Sequence, residues 1–248
     1  MGVLSVIVLI HKRFLVGSLL VFCCVTGLAA VLFAGLRPAG VPVFAARGEE
    51  AVTVVIDPGH GGEDGGAVSA DGVMESRINL AVSKRLSDLL RFAGQRTLMT
   101  RTEDVSIHTE GDTMRARKVS DIHHRVDIVN ATEEAVLLSI HQNSLPSSRV
   151  THGAQVFWNT EEGAQELAGV VQNALNTAIN VGNEKLPRKI PATIYLMKHV
   201  TAPAILVECG FLSNSTESVK LQEPSYQLKL AAAIATGYLR CLAGEEVP

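Results

Sequence analysis

Cysteine is scarce in this sequence, and its scarcity excludes one class of protein. The 248 residues contain four cysteines, and two of them, Cys23 and Cys24, lie inside a long apolar run. Cys209 and Cys241 remain, and two cysteines cannot form the disulfide framework of a small secreted domain. The chain beyond residue 51 is therefore expected to depend on an apolar core, and its roughly 200 residues are enough to build one.

The chain also lacks an excess of basic residues. Its formal net charge is −3, and the first 46 residues hold three basic and no acidic side chains, so the rest of the chain is more acidic still. Proteins that bind nucleic acid or a charged membrane surface show the opposite balance. We therefore expect no nucleic-acid partner.

Internal breaks are absent as well. Beyond residue 51 there is no Pro/Gly/Ser-rich stretch, no repeat and no low-complexity segment. This predicts one domain over residues 52–248. Residues 38–51, which begin Pro-Ala-Gly-Val-Pro, are predicted to be a short linker before it.

The longest uncharged run lies near the amino end. It extends from Phe14 to Leu36, directly after two basic residues, and Arg37 closes it. About 20 apolar residues can cross a bilayer, whereas the core of a cleaved signal peptide usually has about 7–15. Residues 1–37 are therefore predicted to be an uncleaved signal anchor, with cleavage after Val43-Phe44-Ala45 as the alternative. The basic residues before the run predict a single-pass cell-membrane protein whose domain is extracytoplasmic.

Strand and helix patterns alternate along the domain. Short apolar, often β-branched runs predict buried strands, and apolar residues at helical spacing predict amphipathic helices. The predicted strands cover residues 54–56, 97–100, 135–140, 153–158 and 204–207, and the predicted helices cover 75–92, 115–130, 164–179 and 226–242. This alternation predicts an α/β fold with a mostly parallel sheet.

A glycine-rich turn that carries one histidine follows the first strand. Asp57-Pro58-Gly59 ends the strand, because proline lacks an N–H and glycine permits positive φ, and His60 comes next. In open α/β sheets, ligands bind at the carboxyl ends of the strands. A phosphate loop is not indicated, since the segment has neither a GxGxxG pattern nor a Lys-Ser/Thr pair. A lone histidine in such a turn is commonly structural, so His60 needs partners before it counts as a ligand.

Three further residues are candidate partners for His60. His141 and Glu208 each come directly after a predicted buried strand, and Glu75 begins the helix after the His60 turn. Two histidines and one carboxylate, with a fourth position open, form a usual catalytic zinc set, and a second carboxylate can act as a general base. The candidates lack the compactness of an HExxH helix, so the pattern alone leaves the metal site open.

Four short blocks of the domain, taken together, carry a family resemblance. They are Ile56-Asp-Pro-Gly-His-Gly-Gly62, Glu75 with Asn79-Leu80, Ser139-Ile-His-Gln-Asn143 and Val207-Glu-Cys-Gly-Phe-Leu-Ser-Asn214. In this order they resemble the signature blocks of the zinc-dependent N-acetylmuramoyl-L-alanine amidases of the amidase-3 family. The resemblance extends over the whole domain. The stretch from Tyr195 to Pro203, the apolar amino-terminal run and the absence of wall-binding repeats make the chain most similar to the membrane-anchored sporulation- and germination-specific type.

The resemblance implies a fold and a set of residue roles. In that family the residues that match His60, Glu75 and His141 bind zinc (Zn2+), and the residue that matches Glu208 is the catalytic glutamate. The implied fold is a three-layer αβα sandwich with a mostly parallel central sheet of about six strands, here preceded by the predicted transmembrane helix. Residues 52–248 would then be the catalytic amidase domain.

The resemblance also implies a substrate and a biological role. The substrate is peptidoglycan, cleaved at the amide bond between N-acetylmuramic acid and the L-alanine of the stem peptide. In the sporulation type this step prepares muramic-δ-lactam in the spore cortex. The need for an activating partner protein stays open. Two alternatives also stay open: another zinc amide hydrolase, such as a carboxypeptidase or deacylase, and a catalytically weak peptidoglycan-binding scaffold.

Other histidines and Cys209 have less specific interpretations. Cys209 should point away from the face that holds Glu208, as a small buried hydrophobe. His123 and His124 are expected to be solvated or partly packed. His152 and His199 are candidates for hydrogen-bond donors near the site or for substrate contacts.

Two polar residues of the second predicted helix have a structural interpretation. Arg125 and Asn130 recur in the family that the chain resembles. They are expected to clamp this helix to a strand rather than to take part in chemistry.

Overall fold

A computed structural model describes residues 52–245 of the chain. The predicted signal anchor and nearly all of the predicted linker lie outside these residues. Within the described part, no helix combines the length and the apolar character that crossing a bilayer requires. The account below therefore concerns the predicted domain.

One six-stranded sheet organises this domain. Its strands are β1 (Thr53–Pro58), β2 (Arg96–Met99), β3 (Ala135–Asn143), β4 (Gln155–Trp158), β5 (Arg188–Lys189) and β6 (Ala204–Phe211), in the spatial order β2-β1-β3-β6-β4-β5. Strands β2, β1, β3 and β6 run parallel, β4 pairs antiparallel with β6, and β5 runs parallel to β4. The predicted α/β class and the mostly parallel sheet of six strands are confirmed.

Helices cover both faces of this sheet. They are α1 (Glu75–Phe92), α2 (Met114–Asn130), α3 (Ala164–Ala178), α4 (Tyr195–His199), α5 (Ser215–Gln222) and α6 (Pro224–Leu242). Val54 and Ile56 pack into the larger core with α1, α3 and α6, whereas Val55 between them packs into the smaller core with α2 and α4. Alternation along the strand thus divides two apolar cores, and each fully buried Val or Ile contributes about 1.5–3 kcal/mol.

The face toward α2 and α4 carries the polar residues that matter for function. Strand register places Asp57 beside Ser139, and Ser139 beside Leu206. Two residues farther along each strand, toward the carboxyl edge of the sheet, His141 lies beside Glu208. Because side chains alternate along each strand, Asp57 and Ser139 point to the same face as His141 and Glu208.

The predicted strand ends were too early. β3 continues to Asn143 and β6 to Phe211, so His141 and Glu208 lie within strands rather than after them. Both predictions stopped where the apolar run stopped, but the backbone pairing continues through polar residues. The first strand likewise continues to Pro58.

Three short elements were not predicted. Both residues of β5 are exposed, so they leave no apolar pattern. Helix α4 has five residues, too few to show a helical period. Helix α5 begins after Asn214, whose side chain accepts a hydrogen bond from the backbone N–H of Glu217, an N-cap that the sequence does display.

Candidate functional site

The His60 turn is a strained backbone segment held close to β3. His60 has φ 61°, and Gly61 and Gly62 also have positive φ, which glycine adopts without cost and histidine does not. A Cβ atom at Gly59 would collide with the imidazole of His141. The glycines therefore let the two histidines approach each other, and their ring centroids lie 5.1 Å apart.

Glu75 lies at the first residue of α1, with its side chain 4% exposed. Its Oε2 accepts a hydrogen bond from the backbone N–H of Ala67 at 2.9 Å. Its Oε1 accepts from the backbone N–H of Gln142 at 3.0 Å and from Asn79 Nδ2 at 3.2 Å. A carboxylate with these neutral donors around it has a fixed orientation toward the two histidines.

His60, Glu75 and His141 converge on one point. Each offers one ligand atom, and these atoms all lie within 4.8 Å of one another. Glu75 Oε1 is 2.9 Å from His141 Nδ1, and Glu75 Oε2 is 3.3 Å from His60 Nε2. Ligand atoms on a tetrahedral zinc with bonds of about 2 Å are roughly 3.3 Å apart. The donor set therefore fits a zinc ion, and the distance from each histidine to its nearer Glu75 oxygen is close to that spacing.

The charges of this cluster favour a bound cation. Burial alone would lower the pKa of His60, but hydrogen bonds to Asp64 and Glu75 and the negative charge of both carboxylates raise it to about 9. Burial would raise the pKa of Glu75, yet the hydrogen bonds and charges of His141 and His60 hold it well below its ordinary value. The carboxylates thus stabilise one positive charge here, and a metal ion would supply that charge in place of the proton on His60.

Glu208 lies beside His141 and is the one residue of the predicted site that is not in the ligand cluster. Its Oε2 is buried and has no hydrogen-bond partner among the described residues. Burial raises the pKa of Glu208 to about 7, with His141 and His60 opposing the shift and Glu75 adding to it. A buried carboxylate without a partner is costly, so it points to a bound group that the protein atoms do not provide.

Asp57 and Arg125 form a buried ion pair. Asp57 lies beside Ser139, two residues farther from the carboxyl end of β3 than His141. Asp57 also accepts hydrogen bonds from Thr100 Oγ1 at 2.7 Å and Ser139 Oγ at 2.8 Å. Burial would raise the pKa of Asp57, but the charge of Arg125 and these hydrogen bonds lower it to about 2. The pair is therefore ionised and satisfied.

Two buried arginines hold the backbone that presents His60. Arg125 donates to the carbonyl oxygens of Pro58 at 2.9 Å and His60 at 2.8 Å. Arg101 donates to Pro58 and Gly59 at 2.9 Å each, and also to Ser76 in α1. These bonds stabilise a turn whose positive φ at His60 would otherwise be unfavourable.

Three of the remaining histidines lie apart from the metal cluster. His124 contacts the carbonyl oxygen of Ile107 at 2.6 Å, and His123 packs against Tyr195 on the surface. His199 stacks on the same tyrosine with ring centroids 3.8 Å apart. The expectation for His123 and His124 is confirmed, and His199 has a local packing partner rather than a contact with the metal cluster.

Cys209 and Asn130 have the structural roles that the sequence predicts. Cys209 is fully buried in the core with α1 and α6, and burial raises the pKa of its thiol, so it is not a nucleophile. Asn130 bonds the backbone of His199 and Thr201, which fastens the end of α2 to the segment before β6.

Sequence reasoning missed several residues that hold the site. Asp64 contacts His60 Nδ1 at 2.8 Å, and Arg101 holds the turn from the far side. Arg101 follows β2 at the same edge of the sheet as the other candidates, so its position was a usable signal. The sequence indicates Asp57 only as part of a strand terminator, because no local pattern links it to Arg125, which is 68 residues away.

Comparison with known proteins agrees with this geometry. The family described as N-acetylmuramoyl-L-alanine amidase matches residues 54–240. The germination-specific N-acetylmuramoyl-L-alanine amidase of Bacillus subtilis (strain 168) is 39% identical over 189 residues, covering 75% of this chain and 78% of the relative.

Solved structures resemble the chain over the same region. The CwlD amidase from Clostridioides difficile, in complex with the GerS lipoprotein, matches with a TM-score of 0.74 and 32% identity, covering 78% of this chain and all of that one. An N-acetylmuramoyl-L-alanine amidase from Clostridium difficile 630 matches with a TM-score of 0.67 and 30% identity, covering 78% and 97%. The chain therefore belongs to the amidase-3 family of N-acetylmuramoyl-L-alanine amidases, which are peptidoglycan hydrolases.

Proposed function

We propose that this amidase works with one zinc ion held by His60, Glu75 and His141, and with Glu208 as its general base and acid. The convergence of those three residues, with the unpartnered oxygen of Glu208 beside them, carries the proposal. The bond cleaved joins the lactyl carbonyl of N-acetylmuramic acid to the nitrogen of L-alanine. Zinc, when bound, supplies a Lewis acid for the carbonyl and lowers the pKa of water.

The protein residues have distinct tasks in this reaction. Glu208 takes a proton from the attacking water and returns it to the alanine nitrogen as the amide bond breaks, so that free amine and free carboxylate result. Burial raises the pKa of Glu208 above that of an exposed carboxyl group, which favours the return of the proton after it has been accepted. Asp64 fixes the orientation of the His60 ring, and Asn79 and Gln142 fix Glu75.

Metal analysis together with product analysis tests this proposal. The purified full chain should contain about one zinc per molecule and release stem peptides that begin with L-alanine. His60→Ala and His141→Ala should lose both metal and activity, whereas His123→Ala, a surface histidine, should keep both. Full activity with chelator in a metal-free preparation would overturn the zinc assignment. Products with the stem still attached would favour a carboxypeptidase or deacylase.

We further propose a role in maturation of the spore cortex. The support is the similarity to a relative named as a germination-specific amidase. Removal of stem peptides would leave the muramic acids free to become muramic-δ-lactam. A muropeptide profile of cortex from cells with and without this protein tests the role, and unchanged lactam content in its absence would contradict it.

The proposed location is the cell membrane, with the domain outside the cytoplasm. The apolar run from Phe14 to Leu36 supports a single-pass anchor. The full chain should fractionate with membranes, and protease added from outside should digest the domain. A soluble cytoplasmic form as the main species would contradict this topology.

An activating partner is also proposed, because the similar CwlD amidase was solved in complex with a lipoprotein. Cross-linking in sporulating cells, followed by purification of this chain, should recover a second protein in stoichiometric amount. Full specific activity of the isolated, zinc-loaded chain would argue against the need for one.

A further inference from the structure

A second polar region lies near the carboxyl edge of β6. It is a cleft of about 530 Å³. Its walls come from the loop before β4, the residues after α3, the start of α5 and one residue of α6. The lining residues on which the argument depends are Arg149, His152, Gly153, Asn180, Glu217 and Lys220.

Strand register locates this cleft relative to Glu208. Gln155, the first residue of β4, lies opposite Glu208 in the antiparallel pair. Gly153 is two residues earlier, so strand spacings of about 4.8 Å across and 3.3 Å along place its Cα atom on the order of 8 Å from the Cα atom of Glu208. The cleft therefore begins about one strand away from the backbone of Glu208, on the side of the sheet that α3 and α6 cover, so a peptide bound at Glu208 must cross the carboxyl edge of β6 to reach it.

The cleft carries unpaired positive charge. Neither Arg149 nor Lys220 makes an ion pair with any residue that the structure describes. Among the described lining residues the one carboxylate is Glu217, and both of its oxygens are already engaged. They accept from the backbone N–H of Gly153 at 2.8 Å and of Phe211 at 2.7 Å. The two cations are thus free to bind an added anion.

The frame around these cations is preorganised. Asn180 Oδ1 accepts from the backbone N–H of Ala154 at 2.8 Å, and Asn183 Nδ2 donates to the carbonyl oxygen of His152 at 3.0 Å. Together with Glu217, these side chains fix the backbone of residues 152–154 from both sides. A fixed frame reduces the entropy that binding a ligand costs.

The substrate has acidic groups at a matching distance. An extended peptide spans about 3.3–3.6 Å per residue, so a stem peptide that leaves the cleavage point reaches the cleft with its second or third residue. A stem residue with a free carboxylate at either position would bring its negative charge to the cleft. We propose that this cleft binds those carboxylates through Arg149 and Lys220, and that it thereby sets the preference for acidic stems. The inference rests on the proposed function, since it takes Glu208 as the cleavage point.

The test compares two synthetic muropeptides that differ in one group. In the first, the second stem residue bears a free carboxylate, and in the second the same residue bears a carboxamide. The zinc-loaded full chain should show a KM about tenfold lower for the carboxylate, as expected for a charge-assisted contact. Arg149→Gln with Lys220→Gln should raise the KM for the carboxylate about tenfold. The KM for the carboxamide and both kcat values should stay within twofold, and each single substitution should have a smaller effect of the same kind.

The control removes the same charge elsewhere. Lys84→Gln with Lys229→Gln changes two exposed lysines that do not line the cleft, and it should leave every constant within twofold. Equal loss on both substrates, or no preference in the unsubstituted protein, would overturn the role of the cleft while leaving the amidase proposal intact. Failure of the unsubstituted protein to cleave either substrate would instead overturn the proposed function, and the role of the cleft with it.

Discussion

Two neighbouring pairs of charged residues lie on one face of the sheet, and they differ in whether their carboxylate oxygens have hydrogen-bond partners. In the lower pair, Asp57 and Arg125, the carboxylate faces the guanidinium and also accepts hydrogen bonds from the hydroxyls of Thr100 and Ser139. In the upper pair, His141 and Glu208, one glutamate oxygen is buried without a described partner. Saturation of hydrogen bonds marks a structural ion pair, and an unsatisfied buried acceptor marks a place for chemistry.

The largest effect is expected when Glu208, the carboxylate of the upper pair, is changed. Glu208→Gln keeps the size and removes the proton acceptor, so we expect the rate to fall about 10²–10⁴-fold while zinc stays bound. Metal analysis and turnover on muropeptides measure both properties. Glu63→Gln is the control, since Glu63 is an exposed carboxylate with a surface partner, Arg117.

Two outcomes would contradict the assignment of Glu208. Loss of zinc from Glu208→Gln would make this residue a ligand instead of a base. Turnover close to normal would show that Glu208 does not transfer the proton. The unpartnered oxygen of Glu208 would then not mark a catalytic residue.

The lower pair should matter for stability. Arg125→Met leaves Asp57 buried without its cation, so we expect a loss of about 3–5 kcal/mol in the free energy of unfolding. Arg117→Met removes an arginine from the same helix, but its partner Glu63 is exposed, so that variant should lose less than about 1 kcal/mol. Urea titration with chelator present measures both. Similar values for the two variants would mean that burial does not distinguish these ion pairs.

Acid should weaken the lower pair in a defined range. The pKa of Asp57 is about 2 in the folded protein and 3.8 ordinarily, so the stabilisation is complete above about pH 4 and is lost as the pH falls toward 2. The shift corresponds to about 2 kcal/mol. Asp57→Asn should therefore show a shallower decline in unfolding free energy than the unsubstituted protein between pH 4 and pH 2. Parallel declines would show that Asp57 does not contribute this dependence.

The smallest effect is expected at Cys209, which is adjacent to Glu208 in sequence and packs into the opposite core. Cys209→Ala should leave zinc content unchanged and turnover within about twofold, with about 1 kcal/mol lost from stability because a small buried group is removed. Abolished turnover in a folded, zinc-loaded variant would show that both sides of β6 take part in catalysis.

Much of the fold could be predicted from local patterns. Helix α1 was predicted from Glu75 to about Phe92 and is observed there, because its apolar residues repeat at helical spacing and Gly94, with φ 82°, ends it. The strand ends could not be predicted, because His141 and Glu208 are paired through their backbones although their side chains are polar. The hydrophobic pattern reports burial, whereas strand pairing depends on the neighbouring strand.

The sequence by itself determined the types of group at the site and the family. His60, Glu75, His141 and Glu208 could be named as candidates because each follows an apolar run or begins a predicted helix, and the family resemblance supplied their expected roles. The tertiary structure alone decided which charges are satisfied. It matched Arg125 with Asp57 and Arg101 with the backbone of the His60 turn, and it left Arg149 and Lys220 in one cleft without an ion-pair partner among residues 52–245. These pairings join residues tens of positions apart, and only the packing of helices on the sheet sets the distances on which electrostatic interactions depend.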